Sequence, residues 1–307
     1  MNKLMKQFIV FLLAAVLASC GTQKRLTHAK QVVEQARQHQ VSENQSLNTI
    51  TTSVVEKAEH SETDSTIYNE YQMVLKKLDE NLKNIEKKVS LVELSMQNKS
   101  NYRKAAFNKQ LARELAFVNS FNLSANKRQE IYTFLREAVK IKAFSLVDLA
   151  AFFGPGKYRI PVNHFDKVRE FVEPIIDSMA AFSNKFKEVP HIARIVFVGY
   201  ADATGIKEGG ELYNQLIWFL KKEVPTKEKL NLVLSDLRAK ELLAKTKTIM
   251  TENTNKFSNY NHLKIGYSGY GLGEKLPFTS KKDYKEDDER RRIVLFYWCI
   301  LPDSAFL

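Results

Sequence analysis

The chain has 307 residues, with 47 Lys or Arg against 35 Asp or Glu and a formal net charge of +12. The positive charge is spread lysine by lysine rather than gathered in one block, which favours attraction to anionic surfaces over sequence-specific reading of nucleic acid. No His-Glu-x-x-His, nucleophile elbow or phosphate loop occurs, and His164, His191 and His262 lack metal-ligand spacing, so nothing argues for an enzyme, a metal or a cofactor.

In chain order, Lys3 and Lys6 precede the apolar run 8–17, the layout of a secretory signal peptide over 1–19. The run is too short to span a bilayer, which takes about 20 apolar residues. It ends in Leu17-Ala18-Ser19-Cys20-Gly21, which resembles the lipobox of bacterial lipoproteins. The resemblance implies cleavage before Cys20 and acylation of its thiol and new amino terminus with palmitate-type chains. Three chains, at roughly 0.8 kcal/mol per buried methylene, make such an anchor effectively permanent. Gly21 rather than Asp after the cysteine points to the outer membrane, with the chain facing the periplasm, where there is no nucleic acid to bind. The other cysteine, Cys299, lies in the apolar run 293–301 and reads as a small core residue.

Residues 21–150 contain no proline and, after Gly21, no glycine, and strong helix formers dominate them. Weak apolar spacing at Leu26, Ala29, Val33 and Ala36, then Leu47, Ile50 and Val54, gives a lipid-anchored helical tether over 20–67, interrupted by the Ser/Asn/Thr-rich patch 42–53. Over 68–98, Tyr68, Tyr71, Leu75, Leu78, Leu82, Ile85, Val89, Val92 and Met96 alternate spacings of three and four, a coiled-coil seam ~43 Å long at 1.5 Å per residue. That seam is either one arm of a helical hairpin folded within the chain or a surface for a second copy or a partner helix; the spacing does not choose. Connecting helices follow over 99–145, with Ser124 an expected N-cap and Ile131, Leu135 and Val139 on one helix face.

The punctuation then changes, with Gly154, Pro155, Gly156, Pro161, Pro174 and Pro190 close together, and a second domain is expected over 146–307. The pattern gives a strand near Phe152, a helix over 163–186, a strand over 192–199, a helix over 232–252, and strands over 263–268 and 293–300. Strands alternating with helices predict an α/β sandwich, a small mixed sheet with helices on one face. The glycine-rich stretch 269–273 lacks the lysine and helix of a nucleotide site and reads as a turn.

Short motifs in this half follow one another in a telling order. Phe153-Gly154-Pro155-Gly156-Lys157-Tyr158-Arg159-Ile160-Pro161 is followed by Gly199-Tyr200-Ala201-Asp202-Ala203-Thr204-Gly205. Then come Leu230-Asn231-Leu232-Val233-Leu234-Ser235-Asp236-Leu237-Arg238-Ala239, Gly269-Tyr270-Gly271 with Pro277, and Arg290-Arg291-Arg292. This series resembles the OmpA-like C-terminal domains of OmpA, the peptidoglycan-associated lipoprotein and MotB. The third motif matches the family pattern Leu-Asn-x-x-Leu-Ser-x-x-Arg-Ala throughout. Tyr200-Ala201 stands where the family has His-Thr, and the gap from Asp202 to Asn231 is longer than usual, an insertion over 206–229 with an apolar helical pattern at 212–220.

The resemblance implies non-covalent binding of the peptidoglycan stem peptide through diaminopimelate, which carries an ammonium and a carboxylate. The implied roles fall on Asp202 for the ammonium and Arg238 for the carboxylate, with Thr204 and Asn231 as hydrogen-bonding neighbours. The residue types suit the task, because ionised Asp only accepts and Arg offers a planar two-pronged donor. The expected function is a tether between membrane and wall. The alternative is a wall-anchoring subunit of a trans-envelope secretion or motility complex, with homo-oligomer or partner contacts through 68–98 and 206–229.

Overall fold

The computed structural model describes residues 3–60, 63–97, 104–141, 144–148, 152–153, 156–221, 223–258, 263–277, 283–303 and 305, with side chains from residue 23 onward apart from Glu289. The chain forms two compact units, Met1–Thr51 with Leu75–Thr133, and Thr52–Val74 with Phe134–Leu307. The second unit therefore takes in 52–74 and 134–145 beside the expected 146–307. Amphipathic spacing shows that a helix buries a face without saying which core receives it.

The first unit is helical, built from most of α1 (Lys3–Glu59), the later part of α2 (Ser65–Gln97), α3 (Ala105–Leu123) and the first part of α4 (Ala125–Lys140). Val32, Val33 and Ala36 of α1, Ile85, Val89 and Val92 of α2, and Leu111 and Val118 of α3 share one core. The heptad seam from Leu75 onward is thus covered by helices of the same chain. Glu43, 3% exposed, accepts from Arg128 Nε and Nη2 at 2.8–3.1 Å, and Arg37 pairs with Glu93 at 2.8 Å. Losing one partner of the buried Glu43–Arg128 pair costs about 3–5 kcal/mol.

Two expectations are corrected in this unit. The patch 42–53 does not interrupt α1, because Thr49 and Thr51 bond back to the carbonyls of Gln45 and Leu47 and leave the helical ladder intact. Ser124 stands directly before α4 and its carbonyl accepts from Arg128 N–H at 3.1 Å, but its hydroxyl does not cap that helix and turns back to the carbonyls of Ser120 and Phe121 at the end of α3. Cys20 falls within α1, and its side chain lies outside the described residues. Among the described residues, no helix is long and apolar enough to cross a membrane.

The second unit is mixed α/β. Its elements are β1 (Phe144–Asp148), α5 (Phe165–Lys185), β2 (His191–Gly199), α6 (Glu211–Leu220), α7 (Lys227–Glu252), β3 (Lys264–Gly271) and β4 (Ile293–Pro302). The sheet order is β1-β4-β2-β3, with β2 and β3 parallel and β4 antiparallel to β1 and β2. Among the described residues there is no strand near Phe152: Phe152 and Phe153 are buried off the sheet, and the first strand described is 144–148. β3 runs on to Gly271, so of the glycine stretch only its far end turns, where Gly273 takes a φ of +59°.

α5 and α7 cover one face, where Phe296 of β4 meets Phe171 of α5 at 6.0 Å and Phe197 of β2 at 4.8 Å. The expectation of helices on one face only is corrected by the other side. There Arg194 of β2 donates from Nε to Glu70 at 2.6 Å, and the hydroxyl of Tyr270 bonds to Asp64. Asp64 also accepts from the Thr66 backbone N–H at 2.8 Å and so caps the start of α2. Every residue of β4 is buried, as a strand covered on both faces requires. Behind this sheet, His191 is held between Ser183 Oγ at 2.8 Å from Nε2 and the Val189 carbonyl at 2.6 Å from Nδ1, and burial lowers its pKa.

The insertion 206–229 packs on its own unit. Leu216 and Leu220 of α6 share a core with Leu230 and Leu234 of α7, and Tyr158 and Ile206 lie against it.

Candidate functional site

The site forms where β2 ends, α7 begins and the chain passes from β3 to β4. On α7, Asn231, Ser235 and Arg238 fall at i, i+4 and i+7, one face of the helix, and all three are buried. Glycine lets that face approach the strand ends. A Cβ at Gly199 would lie 2.1 Å from the Ser235 carbonyl oxygen, and one at Gly271 would lie 2.3 Å from the Asp236 nitrogen. The Ser235 hydroxyl accepts from the Gly273 backbone N–H at 3.0 Å, which fixes the turn after β3 against the helix.

The loop after β2 is tied by its main chain. Tyr200 N–H donates to Ile293 O at 2.9 Å, Ala201 N–H to Gly273 O at 2.8 Å and Ala203 N–H to Glu286 O at 2.8 Å. These bonds hold the segment Tyr200-Ala201 that leads into Asp202. The Tyr200 phenol, pushed up to about 12 by burial and by Asp64, belongs to the opposite face of the sheet.

Asp202 is 6% exposed. Its Oδ1 accepts from the Thr204 hydroxyl at 2.8 Å, and its Oδ2 accepts from Arg292 Nε at 2.5 Å. Asn231 Nδ2 lies 3.1 Å from Asp202 O, 3.0 Å from Thr204 O and 2.9 Å from Glu274 Oε1, so it orders the loop backbone. All four residues singled out in the sequence meet here. Thr204 and Asn231 serve chiefly to position Asp202.

Arg238 differs from every other arginine of the site. It is 9% exposed, donates from Nε to the Lys157 carbonyl at 3.2 Å, and lies with its guanidinium carbon 5.8 Å from the Phe153 ring centre. Among the described residues it makes no ion pair. Burial pushes its pKa down to about 10 against the opposing pull of Asp202, and Arg292 adds a like charge that lowers it further. A largely buried guanidinium without an ion pair among the described residues is suited to receive an anion.

Arg292 itself was missed as a site residue, although the arginine cluster was read as a motif. Its neighbours explain the difference. Arg290 is engaged by Asp288 at 2.6 Å and Asp283 at 3.2 Å, and Arg291 donates to the carbonyls of Lys285 and Glu274. Those two build the loop and neutralise part of its acidic run, leaving Arg292 to meet Asp202 across 90 residues of sequence. Among the described residues no group of His, Cys, Asp and Glu could hold a metal ion; His262 lies outside them. No protein-family model matches this sequence, and no curated protein matches it either.

Proposed function

We propose that this chain is a lipid-anchored envelope protein that binds peptidoglycan non-covalently through an OmpA-like domain and tethers the outer membrane to the wall. The observation that carries the reading is Arg238: a buried guanidinium without an ion pair among the described residues, beside Asp202. A buried carboxylate and a buried guanidinium that influence each other electrostatically suit a ligand bearing both an ammonium and a carboxylate, which is what the family resemblance of 146–307 implies. The main-chain ties of the loop and the packing of 206–229 on its own unit keep this pair together despite the insertion.

The test is sedimentation of the purified chain with isolated sacculi. Wild type is expected in the pellet, and folded Arg238→Met and Asp202→Asn variants in the supernatant. Wild type that stays in the supernatant refutes wall binding. For the anchor, Cys20→Ala should shift the protein from the membrane fraction to the soluble one, and a variant that remains fully membrane-bound refutes lipidation at Cys20.

A second reading, a wall-anchoring subunit of a larger complex, draws on 206–229, where Trp218 is 75% exposed and Val224 72%. Crosslinking separates the two: stoichiometric protein partners favour the complex, and sacculus alone favours the tether.

A further inference from the structure

Asp202, the group expected to hold a ligand ammonium, already has a cation on it. Arg292 Nε sits 2.5 Å from Oδ2, while Oδ1 takes the Thr204 hydroxyl at 2.8 Å. A ligand ammonium can reach this carboxylate at full strength only where Arg292 gives way. We propose that Arg292 is a built-in competitor, seated on Asp202 in the free protein and displaced by the ligand's ammonium on binding, so that recognition is an exchange of one ion pair for another. The proposal rests on the reading of Asp202 and Arg238 as the ligand-binding pair.

Three features make the exchange feasible. The first is asymmetry of burial: the Arg292 side chain is 42% exposed and that of Asp202 9%. Releasing the arginine to water is cheap, whereas leaving the carboxylate without any cation is not, so one cation must replace another. The second is the way Arg292 meets Asp202: the contact runs from Nε to Oδ2, while the other carboxylate oxygen is taken by the Thr204 hydroxyl.

The third is an acidic berth next door. Glu286 and Asp287 are exposed, and the Glu286 carbonyl accepts from Ala203 N–H beside Asp202 at 2.8 Å, while Asp283 and Asp288 are engaged by Arg290. A displaced Arg292 therefore leaves one carboxylate for a neighbourhood that offers others. The exchange also relieves Arg238. With Arg292 on Asp202, Arg238 is left without an ion pair among the described residues, and an incoming carboxylate supplies one. A zwitterion brings both halves at once. An anion without the ammonium fills only the Arg238 half and leaves Arg292 in place.

The experiment measures the affinity of the full chain carrying Cys20→Ala for a synthetic diaminopimelate stem peptide and for the same peptide acetylated on its side-chain amine. Arg292→Gln is expected to bind the free-amine peptide about tenfold tighter than the parent chain, equivalent to ~1.4 kcal/mol, and the acetylated peptide no tighter. Arg292→Lys, which keeps a competing cation, should return toward the parent affinity.

Because Arg292→Gln strips a buried carboxylate of its partner and risks misfolding, a second measurement uses the parent chain alone. The Arg292 Nε–H resonance should lose its hydrogen-bonded shift when the free-amine peptide saturates the site, and keep it with the acetylated one. Equal or weaker binding by folded Arg292→Gln, or an Nε–H signal unmoved at saturation, overturns the exchange while leaving peptide binding intact. Failure of the parent chain and of Arg292→Gln to bind either peptide overturns the wall-binding reading and the exchange with it.

Discussion

Replacing Arg238 by Met should make the protein more stable while it loses its ligand. In the free protein the guanidinium is buried, and burial lowers its pKa to about 10. At about 1.4 kcal/mol per pH unit, holding that charge at neutral pH costs ~3 kcal/mol. The sign follows from the direction: a base whose folded pKa lies below its unfolded value destabilises the fold at every pH where both states are charged, and the penalty fades as pH rises through about 10. Against this, methionine forfeits the Nε–H bond to Lys157 O at 3.2 Å, worth about 1 to 2 kcal/mol for a charged donor. The net expectation is a gain of about 1 to 2 kcal/mol, or about 2 to 8 °C in Tm for a unit of this size. Urea and thermal unfolding of wild type and Arg238→Met, followed by circular dichroism, measure it. A loss of more than about 1 kcal/mol would refute the reasoning, because Arg238 would then be a structural residue.

Cys299, 3% exposed, has its thiol pushed far above the usual range by burial, so it should resist alkylation in the native protein and react at the rate of unfolding. Mass spectrometry after timed iodoacetamide treatment checks this, and native labelling at a free-thiol rate contradicts it. His191 is held neutral by burial, so the unfolded chain takes up a proton near pH 6.5 before the folded one does, and stability should fall as pH drops below that point. His191→Gln should flatten that slope in urea midpoints measured from pH 7.5 to 5; an unchanged slope shows that His191 does not cause it. Leu78→Asp with Leu82→Asp, both 4% exposed in wild type, should cost more than ~5 kcal/mol and remove helical signal from the first unit. Because the seam is covered within the chain, wild type should sediment as a monomer, and a concentration-dependent dimer abolished by these changes would contradict that packing.

The elements with the strongest period were legible in the sequence. The continuous apolar run at 293–301 became the central strand β4, and the spacing over 163–186 became α5. The same run carried a signal for a sheet covered on both faces, since a strand with one wet face alternates. What covers the second face was not legible, because Tyr71 and Leu75 continue one heptad pattern although they belong to different units. β1 escaped notice as a short edge strand in which Val147 is buried while Leu146 stays 48% exposed, whereas the apolar Phe152-Phe153 pair looked more strand-like and is buried outside the sheet. At the site, Asn231, Ser235 and Arg238 could be placed together because helical spacing is local. The Asp202–Arg292 pair could not, since no local rule links residues 90 apart; it follows from the antiparallel pairing of β2 with β4, which sets Gly199 opposite Val294.

The central claim, that Asp202 and Arg238 read one ligand together, is tested most directly by a double-mutant cycle. Calorimetry would give the affinity of a diaminopimelate stem peptide for wild type, Asp202→Asn, Arg238→Met and the double variant, each checked for folding. Each single change should weaken binding about thirtyfold, the low end of about 2 to 5 kcal/mol for a desolvated charge pair. The double variant should fall short of the sum, because both residues address the same ligand. Folded single variants that bind like wild type, or losses that simply add, would contradict the account.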